Sequence, residues 1–138
     1  MSSNKTNNGT DASSHDGTLV ATFEEVVTID LPVTFLRVHP GQDKPLVILL
    51  HGYEDTARAF LRRALPEIPP EYEVLAPNGI FPMPRRFELG WQAAFAWYFA
   101  EYKRPAVIPP SVPAQALVQL IDKLGLQDRP KVVVGFSQ

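Results

Sequence analysis

The sequence has 138 residues, of which 45% are hydrophobic and 20% are charged, and its formal net charge is −2. This length and composition are typical of one ordinary globular domain, and the small negative charge argues against nucleic acid as a partner. Because these residues include no cysteine, a disulfide framework, a thiolate metal site and a cysteine nucleophile are excluded.

The first 17 residues are rich in Ser, Asn, Thr, Gly and Asp, which predicts a disordered tail. They contain no apolar stretch of the kind that forms the core of a signal peptide. No segment reaches the roughly 18 to 20 apolar residues that a transmembrane span needs. We therefore expect a single domain over residues 18–138 in a soluble, cytoplasmic protein.

The first predicted elements are strands. Residues 18–38 alternate in places between apolar and polar side chains and break near residues 30–32, which predicts two antiparallel strands in an edge hairpin. Residues 46–50 are apolar on both faces. Such a run is typical of a parallel strand covered by helices.

An amphipathic helix is predicted next, with Asp55 or Thr56 as its cap and Pro66 as its end. Its apolar positions follow helical spacing: Ala57, Phe60, Leu61, Ala64 and Leu65. A short strand is predicted at residues 72–76. The Pro-rich and aromatic section that follows is expected to be irregular as far as Pro110.

Ser111 opens a second predicted helix, and Gly125 is well placed to end it. One face of this helix is apolar, at Leu117, Leu120, Ile121 and Leu124. A last apolar strand leads to Ser137. Strands that alternate with helices predict a three-layer α/β domain with a mostly parallel sheet and helices on both faces.

The last strand is followed by the pattern of a nucleophile elbow. In the motif G-x-S-x-G, a serine occupies a strained turn between a strand and a helix, and crowded backbones require small neighbours. Gly135 and Ser137 fit the first half of the motif, and the second glycine would be residue 139. The alternative is a plain junction between a strand and a loop.

A second pattern, His51-Gly52-Tyr53, follows the strand at residues 46–50. Ligand sites in open α/β sheets lie at such carboxyl ends. The main-chain N–H groups of Tyr53 and Gln138 are candidate oxyanion donors for a serine nucleophile. The simpler alternative is that Gly52 permits a tight turn and that His51 bonds to nearby backbone, and for His51 we favour this alternative.

Together these patterns resemble the α/β-hydrolase carboxylesterase and phospholipase family, which includes acyl-protein thioesterases. The resemblance covers about residues 33–138 and rests on four segments: LVILLHGYEDT at 46–56, LAPNG at 75–79, the tryptophan-bearing stretch after Arg86, and VVVGFSQ at 132–138. It implies an α/β-hydrolase fold that stops after the nucleophile strand. It also implies hydrolysis of a small ester or thioester through an acyl-enzyme, with Ser137 as the nucleophile and with no metal or cofactor.

Two departures from the family pattern affect this expectation. Glu54 stands where the family often has glycine, and the family's triad aspartate and histidine follow the nucleophile, whereas no residue follows Gln138 here. His15, His39 and His51 offer no convincing substitute base. The alternative function is therefore that of a catalytically inactive fragment that lacks the triad aspartate and histidine.

Two surface features are also predicted. With no strand after it, the strand at residues 132–134 becomes an exposed sheet edge, which favours self-association and poor solubility. The aromatic stretch at residues 87–102 fits either an acyl-binding wall or ordinary core packing. Arg85 and Arg86 are suited to attract an anionic head group, although paired surface arginines are generally just solvated.

A nucleotide cofactor and a resident metal are not expected. No strand is followed by a G-x-G-x-x-G or G-x-x-x-x-G-K-[ST] loop, and no cluster of metal-ligating residues is present in the sequence.

Overall fold

A computed structural model describes residue 27, residues 29–99 and residues 108–138. Every helix and strand given below belongs to one compact unit, Leu31–Gln138. The predicted tail at residues 1–17 and the first strand of the predicted hairpin at residues 18–38 lie outside the described residues. The described strands are β1 (Phe35–Val38), β2 (Leu46–Leu50), β3 (Glu73–Pro77), β4 (Phe81–Phe87), β5 (Gly90–Ala96) and β6 (Lys131–Gly135), and the α-helices are α1 (Ala57–Ala64) and α2 (Ser111–Lys123).

Four of these strands form a mixed sheet with the order β1-β3-β2-β6. β2 pairs in parallel with both β3 and β6, and β1 pairs antiparallel with β3. Ile48 in β2 lies in register with Leu75 on one side and Val133 on the other. The predicted mixed α/β content and mostly parallel sheet are therefore confirmed.

The central strand β2 is buried on both faces, as its unbroken apolar run predicts, and Leu46, Ile48 and Leu49 are at most 1% exposed. Val47 and Leu49 pack with the apolar face of α1, and Leu46 and Ile48 pack with side chains of α2 and with Leu126. Successive side chains of a strand point to opposite faces. The two helices therefore cover opposite faces of the sheet, and each fully buried aliphatic side chain contributes about 1.5 to 3 kcal/mol of hydrophobic stabilisation.

Helix α1 begins where the sequence predicts, since the Thr56 side chain caps it by accepting a hydrogen bond from the Ala59 N–H. A second acceptor that the sequence did not reveal is the Asn78 carboxamide oxygen, 2.8 Å from the Ala57 nitrogen. The α-helix ends at Ala64, and Pro66 lies in a short 3-10 helix, Leu65–Glu67.

The prediction of an irregular section between the first and second helices was wrong. Residues 81–96 form an antiparallel hairpin in which β4 pairs with β5 from Phe81 with Ala96 to Phe87 with Gly90. Pro82 and Pro84 suggested a loop. Because they are two residues apart on an edge strand, both nitrogens face the same side, where proline costs no ladder hydrogen bond.

Helix α2 and strand β6 agree with the sequence prediction. Leu117, Leu120, Ile121 and Leu124 pack against the sheet, and Gly125 has a φ of 68°, the left-handed conformation that commonly ends a helix. β6 is an edge strand of the described sheet. Its side chains at residues 132–134 are 41% to 54% exposed.

At the end of the sheet where the parallel strands begin, the fully buried carboxylate of Glu73 lies between two arginines. It accepts hydrogen bonds from Arg37 Nε (2.6 Å), Arg129 Nη1 (2.7 Å) and the Gly41 N–H (3.2 Å). Burial alone would raise the pKa of Glu73, but these bonds and the nearby Arg37 charge together lower it. The pair of arginines therefore keeps a buried charge in place far from Ser137.

Of the helices within the described ranges, neither has the length and apolar character that crossing a bilayer requires.

Candidate active site

Ser137 follows β6 at the carboxyl end of the parallel strands and has a φ of 64°. This left-handed conformation costs an ordinary residue about 1 to 2 kcal/mol, and glycine adopts it freely. Just before it, the Phe136 N–H donates to the Leu50 carbonyl oxygen at 3.1 Å, which continues the pairing of β6 with β2. The chain therefore leaves the strand through a sharp turn with the serine in the strained position.

The loop after β2 lies directly against this turn. A β-carbon built on Gly52 would lie 3.2 Å from the Phe136 carbonyl oxygen and 3.4 Å from the Ser137 Cβ. Crowding was expected at Gly135, but a β-carbon there would meet nothing within 4 Å. The close backbone approach therefore occurs at Gly52, because β2 and β6 are parallel neighbours whose carboxyl ends meet at one sheet edge.

The two predicted oxyanion donors flank this contact. Tyr53 follows Gly52, and Gln138 follows Ser137. Within the part of the chain that the structure describes, no group accepts a hydrogen bond from the main-chain N–H of Tyr53 or Gln138. The N–H groups of Tyr53 and Gln138 are thus free of described partners, as donors to a bound oxyanion would have to be.

Glu54 and Asp55 shape the loop that carries Tyr53. Glu54 has a φ of 53°, a left-handed conformation that glycine adopts more readily than glutamate. The Asp55 carbonyl oxygen accepts a hydrogen bond from the Phe95 N–H at 2.9 Å, and its carboxylate accepts bonds from the Thr56 N–H and from Arg63. Burial acts to raise the pKa of Asp55, but the bonds from Arg63 and Thr56 and the Arg63 charge together lower it. Asp55 is thus an ionised anchor of the loop.

His51 is fully buried beneath the loop and bonds to backbone through both ring nitrogens, as we expected of it. Nε2 accepts from the Gly79 N–H at 2.8 Å, so the proton of the neutral ring lies on Nδ1, 2.7 Å from the Gly52 carbonyl oxygen. Burial lowers the pKa of His51, while the bond to Gly52 and the Asp55 charge act in the opposite direction. A ring held in this way supports the loop and has no free nitrogen to act as a base.

The LAPNG segment connects His51 and α1 to the rest of the site. Its Asn78 side chain caps α1 and also donates to Thr34 Oγ1 at 2.8 Å. Its Gly79 approaches the Ala96 backbone so closely that a β-carbon would lie 2.5 Å from the Ala96 oxygen. The sequence segment was noticed, but these roles depend on contacts between distant parts of the chain.

Gln138 and Trp97 form a support that the sequence did not reveal. The Gln138 carboxamide oxygen accepts from the Trp97 N–H at 2.9 Å, and its nitrogen donates to the Tyr98 carbonyl oxygen at 2.7 Å. The Trp97 indole N–H donates to the His51 carbonyl oxygen at 2.9 Å. These bonds join Gln138 to the base of the β4–β5 hairpin and, through Trp97, to the β2 loop.

The aromatic stretch divides into two parts. Trp97 is 7% exposed and lies 5.3 Å from the His51 ring, centroid to centroid, which is ordinary core packing. Phe87 and Trp91 are 41% and 69% exposed. The predicted member Tyr102 lies outside the described residues, and the proposed acyl-binding wall stays a prediction.

The described residues hold two histidines, and neither is placed to activate Ser137. His39 is exposed and follows β1, which runs antiparallel, so that it lies at the opposite end of the sheet from Ser137. His15 falls outside the described residues. Across those same described ranges, no three His, Asp or Glu side chains are grouped to hold a metal ion.

Comparison with protein-family models, with curated proteins and with solved structures finds no match to this chain. The site places a strained serine, two main-chain N–H groups and a tightly supported loop at one edge of the parallel strands.

Proposed function

We propose that the chain is the nucleophile-bearing part of a serine carboxylic-ester hydrolase, of the esterase, lysophospholipase or thioesterase type. The proposed fold is a three-layer α/β-hydrolase domain as far as the nucleophile strand. The observation that carries the proposal is the left-handed φ of 64° at Ser137, directly after a parallel strand and in contact with the Gly52 loop. A serine that merely ended a strand would have no need for this strained conformation.

In the proposed reaction, Ser137 Oγ attacks the carbonyl carbon of a small ester or thioester. The main-chain N–H groups of Tyr53 and Gln138 stabilise the negative oxygen of the tetrahedral intermediate. Collapse of the intermediate expels the alcohol or thiol and leaves an acyl group on Ser137, which water then removes. No metal or cofactor takes part in this scheme.

The scheme also needs a general base, since a serine hydroxyl is a poor nucleophile at neutral pH. His51 cannot take this role while it accepts the Gly79 N–H and donates to Gly52. Loss of the histidine of a triad costs about a million-fold in turnover. The alternative proposal is therefore a catalytically inactive fragment, in which no described residue activates Ser137.

A fluorophosphonate probe separates the two functions because it labels activated serines. The protein is incubated with the probe, the adduct is located by peptide mass mapping, and hydrolysis of p-nitrophenyl butyrate is followed in parallel. Ser137→Ala removes the proposed nucleophile, and Ser111→Ala is the matched control at an exposed serine on α2.

Labelling at Ser137 and hydrolysis that only Ser137→Ala abolishes would support the esterase. Hydrolysis equal in the protein and in Ser137→Ala, without labelling, would support the inactive fragment. The intact mass of the natural protein adds an independent test, because a mass near 15.4 kDa would favour the fragment.

A further inference from the structure

The β4–β5 hairpin extends away from the rest of the described structure. β4 and β5 form a two-stranded sheet of their own, with a bridge from Phe95 to Asp55 at its base, and residues 84–93 are exposed on both strands. Contacts with the site occur at its base, where the Phe95 N–H donates to Asp55 and the Trp97 N–H donates to Gln138. Among the described elements, only the hydrogen bonds between β4 and β5 therefore support the outer half of the hairpin.

The tip of this hairpin, residues 85–91, is apolar at its end. Leu89 in the turn is 102% exposed, Trp91 is 69% exposed and Phe87 is 41% exposed. Exposing three large apolar side chains together on a short hairpin is a cost to a protein in water. These side chains are therefore more stable in an apolar or interfacial environment than in water.

Each face of the tip combines an arginine with an aromatic ring. The pairing register places Arg86 opposite Trp91, so these two share one face. The other face carries Arg85 and Phe87, and the Arg85 guanidinium carbon lies 5.1 Å from the centre of the Phe87 ring. The two arginines stand behind Leu89 on opposite faces. Glu88 is exposed in the turn beside Leu89 and offsets one of these charges, so the tip carries a formal net charge of +1.

We infer that this tip docks end-on to an anionic lipid surface. Leucine and tryptophan at the end suit the boundary between head groups and acyl chains, and the arginines behind them suit lipid phosphates. A protein partner would cover one face of the hairpin, whereas here both faces carry the same kind of pair. The formal charge of the whole chain is −2, so attraction to an anionic surface depends on the two tip arginines outweighing Glu88 locally.

The inference does not depend on Ser137 being a nucleophile, and it is tested with the full chain carrying Ser137→Ala. Flotation with vesicles of phosphatidylcholine that contain about 30% phosphatidylserine measures binding, with pure phosphatidylcholine vesicles as the comparison. Trp91 supplies a second signal, because an exposed indole shifts its emission to shorter wavelength on entering a membrane interface. The second tryptophan, Trp97, is already buried, so it contributes little to the shift.

Binding to the anionic vesicles is expected, and it should weaken as salt is raised. Arg85→Gln and Arg86→Gln should each weaken it about five-fold, and Leu89→Ser about ten-fold. Arg62→Gln, at an exposed arginine on α1, and Val118→Ser, at a valine on α2 that is 56% exposed, are matched controls and should leave binding unchanged.

Three results would overturn the inference. The first is no binding to anionic vesicles, and the second is equal binding to both kinds of vesicle. The third is that the control variants lose as much binding as the variants in the tip. A tip that instead pairs with a second copy would give dimers on size-exclusion chromatography that Leu89→Ser abolishes, without vesicle binding. Circular dichroism of each variant shows whether it is folded, and the Trp91→Phe variant should bind vesicles without the emission shift.

Discussion

Gly52 and Ser137 are in contact across the carboxyl ends of β2 and β6, although 85 positions separate them in the chain. A side chain at position 52 would be tightly packed against the segment that carries Ser137. Its nearest neighbours would be the Phe136 carbonyl oxygen at 3.2 Å and the Phe136 Cδ1 at 3.3 Å. The loop that carries Tyr53 can therefore lie close to the segment that carries Ser137 because residue 52 has no side chain.

Gly52→Ala should separate these two segments slightly. We expect the free energy of unfolding to fall by about 1 kcal/mol, because the neighbouring atoms must move by a few tenths of an ångström, and labelling of Ser137 by the fluorophosphonate to slow. Urea unfolding and labelling rates measure the two effects. Gly135→Ala is the control, since a β-carbon there meets nothing within 4 Å, and equal effects of the two substitutions would contradict the prediction.

Gly79→Ala should be more damaging than Gly52→Ala. The added β-carbon would lie 2.5 Å from the Ala96 oxygen and 2.7 Å from the Ala96 carbonyl carbon, and these are backbone atoms that cannot rotate away. We expect a loss of about 3 kcal/mol, at the upper end of the usual range for overpacking. The urea midpoint should be highest for Gly135→Ala, lower for Gly52→Ala and lowest for Gly79→Ala. Any other order would show that the segments shift more freely than these distances imply.

Several parts of this arrangement follow from the sequence because they depend on local pattern. The unbroken apolar run of β2 indicates burial on both faces. The Thr56 side chain caps the start of α1, and Gly125, which has no side chain, adopts the left-handed conformation that commonly ends a helix. The order of strand, loop and serine also predicts that Ser137 and the β2 loop lie at one sheet edge. The burial of β2 and the helix limits are properties of a few consecutive residues, whereas the shared sheet edge follows from the order of parallel strands along the chain.

Other parts could not be predicted because they depend on contacts between distant segments. The sequence suggests a role for the main-chain N–H of Gln138, but its side chain is anchored to Trp97 and Tyr98, which lie 41 and 40 positions earlier. Asn78 supports α1 across 21 positions. The β4–β5 hairpin was missed because Pro82 and Pro84 suggested a loop, and only the pairing partner shows that their nitrogens face outward.

The strained backbone at Glu54 and Ser137 gives a third prediction. Glycine adopts a positive φ without steric cost, so Glu54→Gly should be more stable than Glu54→Ala by about 0.5 to 1 kcal/mol, after allowing for the larger entropy of glycine in the unfolded chain. The same order is expected for Ser137→Gly and Ser137→Ala. Chemical unfolding measures both pairs.

Glu71 supplies the control for this prediction, because it is exposed and its φ is not positive. At that position glycine should be the less stable of the two replacements. If alanine were also the more stable residue at positions 54 and 137, the left-handed conformation at these positions would be contradicted.

The buried His51 gives the protein a stability that depends on pH. Burial lowers its pKa from an ordinary value of 6.5, so the folded chain binds fewer protons at this site than the unfolded chain does. The resulting stabilisation is fully present above pH 6.5 and is lost as the pH falls towards the folded pKa. Asp55 and Glu73 also have lowered pKa values, but their ordinary values are 3.8 and 4.5, so their stabilisation is lost only in more acidic solution.

We therefore expect the free energy of unfolding to fall between pH 6.5 and pH 5, with a slope of at most about 1.4 kcal/mol per pH unit for one proton. His51→Gln should be less stable at neutral pH, because the Gly79 N–H and the Gly52 carbonyl lose their partner, and its stability should change less with pH in this interval. His39→Gln, at the exposed histidine after β1, should keep the slope of the original protein. Urea unfolding at a series of pH values measures all three chains, and an unchanged slope in His51→Gln would mean that another group controls the acid response.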